Sequence, residues 1–145
     1  MNRSISYRGK LADSAQDTIP LHTNDGKTGY KITKLELMGA EPGTGTYELV
    51  LQVWSIKQTT VVGTVDFSDL TLLGVGYYRD NAGSQYQDST TVIFDNIIFN
   101  QDIYVTAKDV SGNTKPINYY FELEQIDLTE DQALVAIVKN LRNEQ

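Results

Sequence analysis

The chain has 145 residues, no cysteine and a formal net charge of −7. The lack of cysteine excludes disulfides and thiolate metal sites, so core packing alone must stabilise the fold. The acidic balance argues against a nucleic-acid partner, because binding to phosphates depends on clustered lysine and arginine. No apolar run approaches the roughly 20 residues that a membrane-spanning helix needs. These features predict one soluble domain over residues 1–145, with no membrane partner.

In the first half of the chain, short β-prone segments separated by turn signals predict an all-β sandwich or barrel. Residues 3–7 are expected to form an edge strand, and residues 19–22 a second short one. Residues 30–38 predict a strand whose apolar side chains change parity, which indicates a β-bulge near Thr33-Lys34. Residues 46–56 carry apolar side chains on both faces, which is typical of a central strand with cover on its second side.

In the second half, residues 61–67 and 70–78 are β-prone but interrupted by glycine and aspartate. Residues 79–89 form a polar stretch that is long for a hairpin turn and therefore indicates a flexible or functional loop. Residues 90–94 and 101–107 are predicted to pair with each other. Seven to nine strands are expected in total.

The C-terminal part has the clearest pattern. Residues 117–124 alternate between apolar and polar side chains, so they predict a strand with one buried face and one wet face. Thr129 and Gln132 have the spacing of a capping box, which predicts a helix over about 129–143. The apolar stripe of this helix is expected to pack against a sheet of the same chain, although packing between subunits is an open alternative; the stripe consists of Leu134, Ile137, Val138 and Leu141. The predicted fold is a two-sheet antiparallel sandwich, jelly-roll-like, with a single C-terminal α-helix.

No catalytic constellation is evident, so the chain is predicted not to be an enzyme. His22 is its one histidine and has no recognisable partner for nucleophilic or zinc chemistry. Acidic residues such as Asp66 and Asp69 lack the spacing of a calcium loop and are interpreted as capping their own turns. No cofactor or metal is predicted. Nine tyrosines and Trp54 leave a carbohydrate-binding β-sandwich module as an alternative, although strand packing explains aromatic residues equally well.

Two stretches carry a resemblance to a known class of protein. The first is IPLHTNDG with TGY after it, within residues 19–30. The second comprises VIFDN, NQDIYV and NYYFELE, within residues 92–124, followed by the predicted helix. Together they resemble small virion structural proteins of tailed bacteriophages, particularly marine ones. The resemblance implies a capsid decoration or cement protein, located in the virion and assembled in the host cytoplasm. A tail, fibre or head–tail component is the nearest alternative.

The resemblance also implies partners. These are the major capsid protein or other virion proteins, together with further copies of the chain, and a trimer is the state that fits a threefold capsid position. Contact residues are expected where aromatic and basic groups lie together, in the N-terminal arm and beside the polar loop. The candidate interaction residues are Arg3, Tyr7, Arg8, Tyr78, Arg79 and Tyr86.

Overall fold

The structure is a computed structural model and describes residues 3–21, 27–41, 45–80, 88–94 and 97–128. These residues contain eight β-strands and no helix. The strands are β1 (Arg3–Leu11), β2 (Gln16–Ile19), β3 (Thr28–Gly39), β4 (Tyr47–Trp54), β5 (Leu72–Asp80), β6 (Asp88–Ile93), β7 (Ile103–Asp109) and β8 (Ile117–Asp127). They form two antiparallel sheets, with strand orders β1-β8-β3 and β2-β7-β4-β5-β6. The predicted all-β sandwich is therefore confirmed.

The strand order is that of a jelly roll, in which a long antiparallel ribbon wraps around a core. Strand β1 pairs with β8, β2 with β7 and β4 with β5, so the second half of the ribbon returns along the first. The remaining pair of the ribbon, β3 and β6, lies side by side without a ladder between its members. Instead β6 pairs with β5, and β3 forms a ladder with β8. On this side of the sandwich, β3 ends one sheet and β6 ends the other, and the two edge strands lie next to each other.

The core lies between the inner faces of the two sheets, and the strand alternation puts apolar side chains there. In β8 the odd positions from Ile117 to Leu123 are buried, whereas the even positions are partly exposed, as the sequence predicts. In β4, Tyr47, Leu49, Leu51 and Val53 point inward and are at most 1% exposed. Strand β8 lies between β1 and β3, and β4 lies between β7 and β5, so the two most regular strands are central.

The predicted β-bulge in β3 is confirmed. The pairing of β3 with β8 shifts between Ile32 and Lys34, which leaves Thr33 as the extra residue. The Thr33 hydroxyl donates to the Glu122 carbonyl oxygen at 3.2 Å. Because the bulge changes the parity of the strand, Ile32 and Leu35 both face the core while Lys34 faces solvent.

Two strand predictions are wrong. Residues 61–67 form no strand, because they belong to the β4–β5 connection (residues 55–71), which crosses the outer face of the five-stranded sheet. The Gln52 amide fixes this connection by donating to the carbonyl oxygens of Val62 and Thr64, each at 3.2 Å. Residues 90–94 and 101–107 do not pair either, since β6 pairs with β5 and β7 lies between β2 and β4.

Three other predictions are adjusted or lie outside the described residues. The second edge strand ends at Ile19 and begins at Gln16, earlier than expected, and it does lie at a sheet edge. The polar stretch 79–89 is partly strand, so that the connection between β5 and β6 comprises residues 81–87. The predicted helix over about 129–143 lies outside the described residues, together with its apolar stripe.

Three tyrosine hydroxyls are buried in or beside the core. The Tyr47 hydroxyl donates to Asp80 Oδ2 at 3.3 Å, and the Tyr119 hydroxyl donates to Asp17 Oδ2 at 2.9 Å. Burial is the main cause that raises the pKa of Tyr47, Tyr78 and Tyr119 above the ordinary value of 10.0. Neighbouring carboxylates raise it further in each case, because they disfavour a phenolate.

These tyrosines predict the alkaline behaviour of the protein. A raised pKa in the folded chain stabilises it below pH 10, and this stabilisation is lost as the pH rises above 10 towards the folded-state pKa values. In an absorbance titration at 295 nm, Tyr47, Tyr78 and Tyr119 should ionise only as circular dichroism reports unfolding. The Tyr119→Phe variant should lack one late phenolate. Ionisation of all nine tyrosines in the folded protein near pH 10 would contradict this expectation.

Candidate binding surfaces

The described surface has an open cleft of about 1140 Å³ beside β3. Its lining comes from three strands of one sheet, β1, β8 and β3, and from β6 of the other sheet. We call it the outer-face cleft, and its side chains on the outer face of the three-stranded sheet are Arg8, Lys10, Lys34, Glu36, Met38, Asn118 and Tyr120. The cleft exists because β6 stands next to β3 without pairing to it.

Cross-strand register sets the arrangement of these side chains. Tyr120 in the central strand β8 lies between Arg8 of β1 and Glu36 of β3. One row further along the strands, Asn118 lies between Lys10 and Met38. Directly opposite side chains in antiparallel strands have Cβ atoms about 4.5–5.5 Å apart. The half-buried Tyr120 ring therefore has Arg8 beside it on the neighbouring strand and the Asn118 amide two residues away on its own strand.

The positively charged side chains of the cleft differ in whether they form ion pairs. Lys34 lies 3.7 Å from a carboxylate oxygen of Glu36 and 3.7 Å from one of Glu122, and its ammonium is 5.9 Å from the centre of the Tyr120 ring. Within the described residues, no ion pair or hydrogen bond engages the side chains of Arg8 and Lys10. Both are exposed. The β1 side of the cleft thus presents two uncompensated positive charges on a protein of net charge −7.

Strand β6 contributes hydroxyl groups to the same cleft. Ser89, Thr90 and Thr91 all line it and all are exposed. Each hydroxyl can donate one hydrogen bond and accept two. The cleft combines an aromatic ring, an amide, a row of hydroxyls and two free cations, and this set of groups suits recognition of a small polar ligand.

A second surface feature is apolar and lies on the other sheet. Four side chains within nine residues of the β4–β5 connection are markedly exposed: Val62 at 40%, Val65 at 43%, Phe67 at 56% and Leu70 at 68%. We call this set the apolar patch. The Phe67 ring packs edge-on against Phe94 with centroids 5.2 Å apart, so it is held in place rather than free in solvent. Grouped exposed apolar side chains of this kind mark interaction surfaces more often than scattered ones do.

The base beneath the apolar patch is rigid. Asp66 accepts from the Ser68 N–H and Asp69 accepts from the Thr71 N–H, each at 2.9 Å, so both carboxylates cap turns of the connection. The predicted structural role of these acids is confirmed. Hydrogen bonds from Ser68 also hold the pKa of Asp66 below its ordinary value of 3.8. The patch is presented by a segment that its own turns and the buried Gln52 amide fix in one conformation.

The contact residues predicted from the sequence lie in different parts of the structure. Arg8 is exposed and lines the outer-face cleft. Tyr78 is only 3% exposed and stacks on Tyr47 in the core, so the expectation that it lies at the surface is wrong. Tyr7 is half-buried and stacks on Phe121 at 5.5 Å. Arg79 is half-buried, with its Nε 3.9 Å from a Glu48 carboxylate oxygen.

The remaining two predicted contact residues give no further information. Arg3 begins β1, and its side chain is not described. Tyr86 lies outside the described residues. The six residues therefore do not form one surface: Arg8 and Arg79 belong to different sheets, and Tyr78 is interior.

Sequence reasoning missed the apolar patch because its residues read as a strand. The pattern of Val62, Val65 and Phe67 is β-prone, and burial by a neighbouring sheet was the natural expectation. The interruptions at Gly63 and Asp66 were the available signal, since they break the alternation that a strand needs. Lys10 and Tyr120 lie 110 residues apart in the sequence, and no local pattern indicates that they line the same cleft.

Metal and membrane chemistry find no support in the described part of the chain. No group of three or more histidine, cysteine, aspartate or glutamate side chains there could hold a metal ion. No helix in the described ranges is long and apolar enough to cross a membrane. His22 lies in the gap between residues 21 and 27.

Comparison with known proteins gives no relative: no family model matches the chain, and no curated protein matches it significantly.

Proposed function

We propose that this chain is a non-enzymatic structural protein of a phage virion, which decorates the head shell and binds it through the apolar patch. The observation that carries the proposal is the patch itself, a set of exposed valine, phenylalanine and leucine side chains on a rigidly held connection. Exposed apolar side chains do not stabilise a monomer. In a protein–protein interface, the same groups form the centre from which water is excluded.

Two further observations support the proposal. The jelly roll is an architecture that recurs in viral capsid and lectin domains. Because one fold serves many functions, the shared architecture supports a structural role in a virion but does not establish it. The resemblance of residues 19–30 and 92–124 to virion proteins of tailed phages points in the same direction.

A decoration protein works by copy number and geometry. Each copy binds one position of a symmetric shell, and contacts between neighbouring copies multiply a modest single-site affinity. The partners in this proposal are the major capsid protein and other copies of the chain. A tail, fibre or head–tail component is the rival proposal, and it would use the same patch at a site present in few copies.

Substitution within the apolar patch tests the proposed contact. The double change Phe67→Ser and Leu70→Ser should weaken binding of the purified protein to heads stripped of it by at least about tenfold, because the centre of an interface supplies most of its affinity. Co-sedimentation with stripped heads measures the binding. The matched control is Met38→Ser, since Met38 is a similarly exposed apolar residue, at 62%, on the opposite sheet.

The control separates a specific contact from a general loss of apolar surface. Met38→Ser should bind stripped heads as the unchanged protein does. Equal binding by the patch variant and the unchanged protein would contradict a role of the patch. Failure of the unchanged protein to bind heads at all would contradict the decoration proposal.

A further inference from the structure

We propose that the outer-face cleft binds an acidic saccharide, a sugar chain that carries at least one carboxylate group. This site is distinct from the proposed shell contact, because the residues that line the cleft belong to β1, β8, β3 and β6, whereas the apolar patch belongs to the β4–β5 connection. The inference does not depend on the decoration function.

The positive side of the cleft selects the charge of the ligand. Among the described residues, three cations and one carboxylate line the cleft, and Lys34 already lies near Glu36 and Glu122. The guanidinium of Arg8 and the ammonium of Lys10 have no partner among the described residues. A guanidinium binds a carboxylate through two parallel hydrogen bonds, which gives both strength and orientation.

The other lining groups select a sugar rather than a simple anion. The half-buried Tyr120 ring lies next to Arg8 in the register, so a sugar ring could stack on it while its carboxylate reaches the guanidinium. Asn118 supplies an amide that can both donate and accept, one row away from Tyr120. Ser89, Thr90 and Thr91 supply hydroxyls on the facing side, where sugar hydroxyls need partners.

The shape of the cleft suits an extended ligand. Its volume of about 1140 Å³ slightly exceeds the roughly 300–1,000 Å³ that is usual for small-molecule sites, and the cleft is open rather than enclosed. A chain of sugar units can lie in such a cleft without having to enter at one end. The net charge of −7 disfavours unspecific attraction of a polyanion, so binding of an acidic saccharide would have to come from this local arrangement.

The test uses the full chain and titration calorimetry with a panel of acidic oligosaccharides: oligogalacturonate, oligoalginate and sialyllactose. At least one of them should bind. The methyl ester of oligogalacturonate is one control ligand, because it keeps the sugar rings and loses the charge. Polyglutamate is a second control for all three saccharides, because it is an anion that contains no sugar. The saccharide that binds should have an affinity at least about tenfold higher than that of polyglutamate. If oligogalacturonate binds, its affinity should also be at least about tenfold higher than that of its methyl ester.

Protein variants locate the site. Arg8→Gln and Tyr120→Ala should each weaken binding by about tenfold or more, the first through lost charge-assisted bonds and the second through lost stacking. Lys57→Gln removes one exposed positive charge outside the cleft and should leave the affinity unchanged. Circular dichroism checks that each variant is folded.

Four results would overturn the proposal. They are the absence of binding by every acid in the panel, equal binding of the acid and its ester, equal binding of polyglutamate, and unchanged affinity in both folded cleft variants. The last result would place binding elsewhere on the protein. None of these results bears on head binding by the apolar patch, which the co-sedimentation experiment measures separately.

Discussion

Replacement of Phe121 by alanine is expected to lower the free energy of unfolding by about 3–5 kcal/mol. Phe121 is fully buried in the central strand β8 and stacks on Tyr7 at 5.5 Å and on Tyr119 at 5.9 Å. Its removal would leave a cavity between the sheets, because the surrounding strands are held by ladders on both sides and cannot collapse into the space. A loss of this size is a large part of the roughly 5–15 kcal/mol that stabilises a typical domain.

Urea denaturation followed by tryptophan fluorescence measures this loss. Trp54 is the one tryptophan of the chain, is 5% exposed, and donates from Nε1 to the Thr106 hydroxyl at 3.0 Å, so its emission reports unfolding. The matched control is Phe67→Ala. Phe67 is 56% exposed, and its loss should cost about 1 kcal/mol or less, the value of one aromatic pair. Equal losses in the two variants would contradict the assigned core.

The second large effect is expected at Asp109, at the end of β7. Its side chain is buried and organises the turn into β8, since Oδ1 accepts from the Ser111 N–H and Oδ2 accepts from the Lys115 N–H, each at 2.9 Å. Gly112, with φ of +87°, lies within this turn. Asp109→Ala should lower the free energy of unfolding by about 2–4 kcal/mol, because it leaves two partly buried N–H donors without their charged acceptor.

Asp66→Ala is the matched control for this change. Asp66 accepts from the backbone N–H and the hydroxyl of Ser68, two residues on, as Asp109 does from Ser111, but Asp66 is exposed. Water can replace its hydrogen bonds, so the loss should stay below about 1 kcal/mol. The same urea titration measures both variants. A loss at Asp66 as large as that at Asp109 would show that the local turn, and not burial, determines the effect.

Short sequence patterns predicted those features of the fold that depend on neighbouring residues in the chain. The alternation in residues 117–124 placed β8 with one face in the core, and the change of parity between Ile32 and Leu35 located the bulge at Thr33. Both depend on a two-residue period that the sequence displays directly. The turn between β7 and β8 also has a local cause, since Gly112 there adopts a positive φ, which glycine tolerates.

Non-local packing decided the parts that the sequence did not show. Residues 61–67 have strand-like composition, yet the Gln52 amide and the sheet beneath hold them as a crossing connection. Tyr78 borders a polar stretch and therefore looked exposed, whereas its position in β5 puts it opposite Gly39 and Tyr47 in the core. The partner of each strand depends on which distant segment arrives beside it, and no short pattern contains that information.

The candidate sites follow the same division. Arg8, a predicted contact residue, lines the cleft, and its contact with a partner stays a prediction. Its neighbours Tyr120 and Asn118 come from the other end of the chain, more than 100 residues away. The cleft and the apolar patch became visible only once the strand register and the path of the β4–β5 connection were known.

Immunogold labelling tests the central claim most directly, on intact virions of the phage that we propose encodes this chain. Antibodies against the purified protein should label the head in many copies over its surface, and quantitative mass spectrometry of the same virions should find copy numbers on the scale of the major capsid protein. Absence of the protein from virions, or label confined to the tail at low copy number, would contradict the assignment as a head decoration protein.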